Sequence, residues 1–405
     1  MLPVYDYFFA LPEVIQHKTV FGHLKAYNDK LNLNVDFVNS TTSPCIIFFY
    51  PGNQTNDHVD DEVIESVVQK VLSNRKNILV LDTIIEDFVN PPFIKCVEKL
   101  LDSDVSAENI KIITSSNPPE LFRHMFFQGN FVSEHGVDRH IPKFDCIEVL
   151  SYDGFNASFT LDLEGQNQQL PEIKPRDIKK RFSLLQKNSR YCRKIVHAFF
   201  VHNNLVEDNI YSWHNIGESP DWGSVEELAL NHFNIPADLE KFKQPIYFDD
   251  VMDTHEWFIE DELQQCAFHC YVETSAIRDQ PSTFWGETRH HKGYYFLTEK
   301  AYKSFWYGLP YIHISYPLED FFKKQGYKVF KSLFDYEKVP TKYHYNYLEN
   351  DFNCIKKIQE TSIDELNHLL NDPIILANLR HNRKLLLRQL PLKKLVQDLG
   401  THCES

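Results

Sequence analysis

The stretch FLTEKAYKSFWYGLPYIHIS, Phe296 to Ser315, decides the fold. Thr298 is a favourable N-cap residue, and Glu299 to Tyr307 contains neither Gly nor Pro, with Tyr302, Phe305 and Trp306 spaced to share one apolar face. This predicts a helix over 299–307. Gly308 suits the left-handed position just past a helix and Pro310 cannot continue one, after which Tyr311 to Ile314 reads as a short buried strand. Upstream, FHCYVETS, Phe268 to Ser275, reads as another strand that ends in Glu273 and Thr274. Strand, long loop, helix and strand make a βαβ crossover, which calls for a parallel sheet.

The chemistry of that unit follows from where its polar residues fall. Ligands in open α/β sheets collect at the carboxyl ends of strands and at helix N-termini, where unpaired N–H groups and the helix dipole attract anions. Thr274, Thr298, Glu299 and Lys300 all fall there. A lysine in the first turn opposes the dipole, and a bound anion would remove the conflict. A neighbouring carboxylate suits the diol of a ribose while the ammonium faces a pyrophosphate. The same residues also read as a capping box displaced by one position beside a solvated lysine, and local sequence leaves both readings open.

Further upstream, three apolar runs of strand length, CIIFFY (Cys45–Tyr50), ILVLD (Ile78–Asp82) and IKIITS (Ile110–Ser115), alternate with amphipathic segments such as VDDEVIESVVQKVLSN. Strands alternating with helices predict a Rossmann-like α/β domain over residues 1–170. Asp82 and Thr83 fall at the end of the second run, where such folds line a crevice. The loop GNFVSEHGVDRH then carries Glu134, His135, Asp138 and His140, residue types that suit a catalytic base or an ordinary solvated loop. GQNQQLPEIKPRDIK, Gly165 to Lys179, has no periodicity and reads as a linker. It runs into a basic island of eight Lys/Arg (Arg176, Lys179, Lys180, Arg181, Lys187, Arg190, Arg193, Lys194) against the single Asp177. RFSLLQ is a strand and YCRKIVHAFFVHNNL a helix, so Lys187, Arg190 and Arg193 fall at a cationic strand-to-helix turn.

Composition narrows the functional classes. At 405 residues, two domains are expected, here 1–170 and 171–345, followed over 346–405 by helices that pack across both. Ser362 and Glu365 form a capping box at the start of one of these helices. Nothing is long and apolar enough to span a bilayer, and the N-terminus lacks the pattern of a signal peptide, so a cytoplasmic protein is expected. A net charge of −15 opposes a broad nucleic-acid surface, and one basic island in an acidic chain marks a focused anion site. Eight scattered cysteines read as reduced thiols. Cys266 and Cys270 flank His269, but no second ligand pair accompanies them, so no metal is assigned. Neither GxGxxG nor GxxxxGK[ST] occurs, which removes dinucleotide dehydrogenases, NAD-dependent epimerases and P-loop kinases from consideration.

The order KKRFSLLQKNSRYCRK, then YVETS, then FLTEKAYKSFWYGLPYI resembles the donor-binding half of glycosyltransferases of the GT-B architecture. It is nearest to viral and phage glycosyltransferase-like proteins with a Thr-Glu-Lys motif, a following lysine and a Gly-x-Pro-aromatic approach to a strand. Those features are Thr298, Glu299, Lys300, Lys303 and GLPYI here, with FFKKQGYKVF beyond. More distantly it is similar to alpha-1,3-fucosyltransferases. The resemblance covers about residues 175–390 and matches the N-terminal domain only in class. It implies two Rossmann-like domains facing across a cleft, residues 1–170 serving the acceptor and 171–345 a nucleotide-sugar donor, with no metal or cofactor.

Carried over by position, Thr298 starts the donor helix, Glu299 binds the ribose, Lys300 and Lys303 the diphosphate, and Arg190, Arg193 and Lys187 the phosphates from the other side. Glu273 and Thr274 would stand near the transferred sugar. The catalytic base is unassigned, with Glu134, His135, Asp82 and Glu86 as candidates. The long aromatic loop Ala276–Leu297 offers Trp285, His290, His291 and Tyr294 for stacking on a sugar or base. Acceptors consistent with this reading are a glycan, a protein side chain or a hydroxymethylated base in phage DNA. The alternative is a non-catalytic descendant of the fold that binds a glycan or protein. Sequence assigns no donor base, stereochemical outcome or oligomeric state.

Overall fold

The structure, a computed structural model, describes residues 1–6, 19–50, 61–83, 91–114, 146–152, 170–188, 191–216, 230–236, 239–246, 263–272, 299–314, 318–340, 344–388 and 392–403. The chain divides into two units: Met1–Gln168 with His291–Phe296 and Leu390–Ser405, and Gln169–His290 with Leu297–Gln389.

Unit 1 runs β1 (Leu2–Asp6), α1 (Val20–Leu31), β2 (Val35–Phe37), β3 (Ile46–Phe49), α2 (Asp61–Leu72), β4 (Ile78–Asp82), α3 (Pro91–Asp102), β5 (Ile110–Thr114) and β6 (Glu148–Ser151). Its strands are parallel in the order β2-β1-β3-β4-β5-β6. The three central runs, IIFF, ILVLD and IKIIT, are buried along their whole length, as strands covered by helices on both faces must be. In α2, Ile64, Val67, Val68 and Val71 recur at helical spacing and form the buried stripe, with Asp61 and Glu62 in the first turn and Lys70 in the last, matching the dipole.

Unit 2 contains β7 (Lys180–Asn188), α4 (Tyr191–His202), β8 (Ile210–Ile216), α5 (Leu239–Lys243), β9 (Cys266–Val272), α6 (Glu299–Tyr307), β10 (Tyr311–Ile314), α7 (Leu318–Lys324), α8 (His344–Glu360), α9 (Ile363–Leu370) and α10 (Pro373–Arg388). Its sheet is also parallel, in the order β10-β9-β7-β8. Counted from its own first strand, each sheet is wound 2-1-3-4, so each has a switch point beside its first strand: β1/β3 in one and β7/β9 in the other. The fold is α/β with two parallel sheets, compatible with Rossmann-like units.

Helix α6 ends as expected. Gly308 has φ 64°, and Leu309 N donates to Ser304 O at 2.9 Å while Gly308 N donates to Phe305 O at 3.3 Å, the paired bonds of a Schellman stop. A Cβ on Gly308 would lie 2.4 Å from Ile173, so space as well as φ demands glycine. Below the helix, Phe305 stacks on Tyr327 at 4.5 Å and meets Tyr311 edge-on at 5.0 Å, which pins α6 to the sheet through β10.

The segment read as a linker is partly a strap along unit 2. Asn371 exchanges two 2.8 Å bonds with the Arg176 backbone, and Asn367 exchanges bonds of 2.9 and 2.8 Å with that of Ile178. Arg380 and Arg383 donate to the carbonyls of Ile173 and Pro171. Extended backbone without ladder partners must find others, and polar side chains of α9 and α10 supply them.

The C-terminal helices are shared out between the units. The capping box starts α9 as predicted, with Glu365 N donating to Ser362 Oγ and Ser362 N to Glu365 Oε2. The last helix, α11 (Leu392–Cys403), belongs to unit 1, where Leu392, Leu395, Val396 and Leu399 join the core of Leu2, Val4, Val20 and Leu24. No helix among the described residues is long and apolar enough to cross a membrane.

Candidate functional site at the switch point of unit 2

The register of β7 with β9 runs from Lys180/Cys266 to Ser183/His269, after which β7 continues to Asn188 and β9 to Val272. These carboxyl ends flank the switch point, where open α/β sheets collect ligands. Helix α4 begins there. Its first turn is Tyr191-Cys192-Arg193-Lys194, and the two cations are only 5% and 6% exposed. Arg193 Nε donates to Val272 O at 3.4 Å, which fixes the guanidinium over the end of β9. Cations at a helix N-terminus oppose the dipole, and burying them adds a desolvation cost.

What holds α4 in this place is one turn further on. His197 lies flat on Trp213, rings 4.5 Å apart and 9° from parallel. Its Nε2 is 2.8 Å from Phe242 O, a group that only accepts, so Nε2 carries the proton and Nδ1 accepts from Tyr211 OH at 2.6 Å. Burial pushes His197 down to about 4, so the ring is neutral. Phe200 packs edge-on against Phe182 of β7, closing the same face of the sheet.

Helix α6 approaches the other face. Lys300 is in its first turn, and Lys303 follows one position beyond the turn, both partly exposed. Lys303 stands close enough to His269 of β9 to act on it: burial first, then the Lys303 charge, push His269 down to about 3. The neutral imidazole shares a 2.9 Å hydrogen bond with Ser183 Oγ of β7, tying the two switch-point strands below the crevice.

The residues named from sequence divide accordingly. The structure brings Arg193, Lys300 and Lys303 to the carboxyl ends of one sheet. Lys187 lies near the end of β7 and Glu299 opens α6, each placed by its backbone. Arg190, Glu273, Thr274, Trp285, His290, His291 and Thr298 lie outside the described residues, as do Glu86, Glu134 and His135. Lys194, read from sequence only as part of the basic island, stands beside Arg193 in the first turn of α4.

Asp82 has a structural task in place of the crevice-lining one expected. It is wholly buried, and its Oδ2 accepts from Val20 N at 2.6 Å, capping α1 beside Thr19, whose Oγ1 accepts from Gly22 N at 3.0 Å. The basic island likewise is no single patch. Arg176 donates to the carbonyls of Gln264 and Cys266, and Arg181 to that of Thr361, which leaves Arg193 and Lys194 as its buried pair at the strand ends.

Among the described residues no group of three or more His, Cys, Asp or Glu is arranged to hold a metal. Cys266 and Cys270 stand four strand positions apart, about 13 Å, too far to share an ion. Comparison with known protein families, curated proteins and solved structures found no match.

Proposed function

We propose that this protein is a glycosyltransferase of the two-domain GT-B kind, moving a sugar from a nucleotide-diphosphate sugar to an acceptor hydroxyl, with unit 2 as the donor half. The observation that carries the reading is the pair of buried cations, Arg193 and Lys194, in the first turn of α4 at a doubly wound switch point. Lys300 lies in the first turn of the next crossover helix, α6, and Lys303 just beyond that turn. A diphosphate bound at these strand ends would be stabilised as a leaving group by a helix N-terminus and its neighbouring cations while the sugar gains oxocarbenium character. Glu299 at the start of α6 suits the ribose diol.

Calorimetry with UDP and GDP tests this on the full chain. Binding by the wild type, weakened about tenfold or more by Arg193→Gln and by Lys300→Ala with folding intact, supports the reading. Absence of binding for both nucleotides, or binding indifferent to both substitutions, defeats it.

A further inference from the structure

We propose that the outer face of α10, with the end of α7 beside it, docks on an anionic lipid surface. The inference does not depend on the transferase reading and concerns a basic face of unit 2 that reading leaves unused.

Two runs of unit 2 contain no Asp or Glu in a chain of net charge −15. Phe321–Phe334 carries Lys323, Lys324, Lys328 and Lys331, and Pro373–Arg388 carries Arg380, Arg383, Lys384 and Arg388. The fold lays the two runs side by side. Gly326, at φ 89°, turns the chain just past α7, and its carbonyl accepts from His381 Nε2 at 3.0 Å. Asn382 then exchanges bonds of 2.7 and 2.8 Å with the Lys328 backbone.

Partners sort these cations. Lys331 is buried against Asp351, and Arg383 donates to Pro171 O, so both serve the fold. Arg380 donates to Ile173 O from an exposed position. Lys324, Lys328 and Lys384 are exposed and enter no ion pair among the described residues, and Lys323 comes only within 3.9 Å of Glu319. The carboxylates bordering this face are Glu319 and Asp320 in the first turn of α7, and Asp372, whose Oδ1 accepts from Ile374 N at 2.7 Å where α10 begins. Asp372 precedes Lys384 by twelve helical positions, about 18 Å, so the cationic surplus collects around the middle of α10.

The neighbours of these lysines indicate the partner. Ile374 is 70% exposed and Leu387 44%, and they share the outward side of α10 with Ala377, His381 and Lys384 at helical spacing. Phe321, Phe322, Tyr327 and Phe330 beside the patch are all buried, so it offers no aromatic platform for the bases of a single strand. Lysines act as point charges suited to the diffuse potential of an anionic leaflet, whereas a phosphodiester backbone is better held by the forked donors of arginine. Exposed aliphatic side chains gain nothing from phosphates, and they can enter the headgroup region of a bilayer.

Cosedimentation of the full chain with vesicles tests this. Binding to phosphatidylcholine vesicles containing about 30% phosphatidylserine, absent with phosphatidylcholine alone and falling steeply between about 20 and 200 mM salt, is the expected result. The combined change Lys324→Gln, Lys328→Gln and Lys384→Gln should weaken it about 100-fold, at about fivefold per lysine. Ile374→Ser with Leu387→Ser should weaken it about tenfold. All five positions are exposed, and unchanged tryptophan fluorescence shows that each variant is folded. No binding to the anionic vesicles at low salt, or binding unchanged in either folded variant, overturns the proposal. So does tighter binding to a DNA duplex of about 30 base pairs than to the vesicles, which would give this face to nucleic acid.

Discussion

Helices α1 and α4 follow the first strands of two sheets wound in the same order, and their first turns are electrostatic opposites. The start of α1 is closed by a buried carboxylate from β4 and by the Thr19 hydroxyl, both of which satisfy the amide groups and the dipole. The start of α4 has two buried cations added to the positive end of its dipole. One helix end is capped by a carboxylate from within the chain, while the other carries two buried cations in its first turn. A shared topology supplies the place where a ligand can sit, and the residues at the helix start decide whether anything is attracted there.

The largest expected effect is on pH. His197 and His269 are held neutral in the fold, at about 4 and about 3, against an ordinary value near 6.5. The unfolded chain therefore binds more protons below pH 6.5, and stability present above that value is lost as pH falls. At pH 5 each histidine removes about 2 kcal/mol from unit 2. All five tryptophans (Trp213, Trp222, Trp257, Trp285, Trp306) fall in unit 2, so denaturant titrations followed by tryptophan fluorescence report that unit selectively. The drop between pH 7 and pH 5 should shrink in His197→Gln; an unchanged slope refutes the assignment.

Next come the two helix stops. Gly308→Ala forces a left-handed φ on alanine and presses a Cβ against Ile173, an expected loss of about 2–4 kcal/mol seen in the same fluorescence transition. Its counterpart in unit 1, Asn32 at φ 50°, should accept glycine with a change under about 1 kcal/mol. Similar losses at the two sites would show that the packing against Ile173 is unimportant.

Asp82→Ala should cost about 2 kcal/mol, because it strands the Val20 amide at a buried helix start. The loss belongs to unit 1, so circular dichroism should register an earlier transition while tryptophan fluorescence stays in place. The smallest stability change is expected for Lys194→Met. Removing a cation that opposes the α4 dipole should alter fluorescence-monitored stability by less than about 1 kcal/mol while weakening nucleotide binding about tenfold. A large stability loss with binding retained would make this cation structural and erase the contrast with α1.

Much of the fold was legible. The helix 299–307, its stop at Gly308 and the strand 311–314 were readable because each depends on local chemistry: a Gly- and Pro-free amphipathic run, a left-handed position and a short buried run. The strands at Ile46, Ile78 and Ile110 were readable because central parallel strands are continuously apolar. β2 was not, having three residues with two exposed, and neither was β8, whose Ser212, His214 and Asn215 break the apolar run. The strap at 170–178 read as linker because its bonds come from side chains nearly two hundred positions away, which leave no periodic trace.

The same division runs through the candidate site. That cations crowd the turn after β7 and the start of α6 was visible in the order of residues, and so was the conflict between Lys300 and the helix dipole. Where these charged groups go was decided by partners distant in sequence: Arg176 and Arg181 donate to backbone carbonyls, Arg193 donates to the end of β9, and the Asp82 carboxylate caps α1. By itself the sequence determined the elements and their local stops, since those follow from propensity and φ preference within a few residues. The order of strands, and with it the identity of the two switch points, came only from the tertiary structure, because strand pairing is set by packing between segments that sequence spacing does not relate.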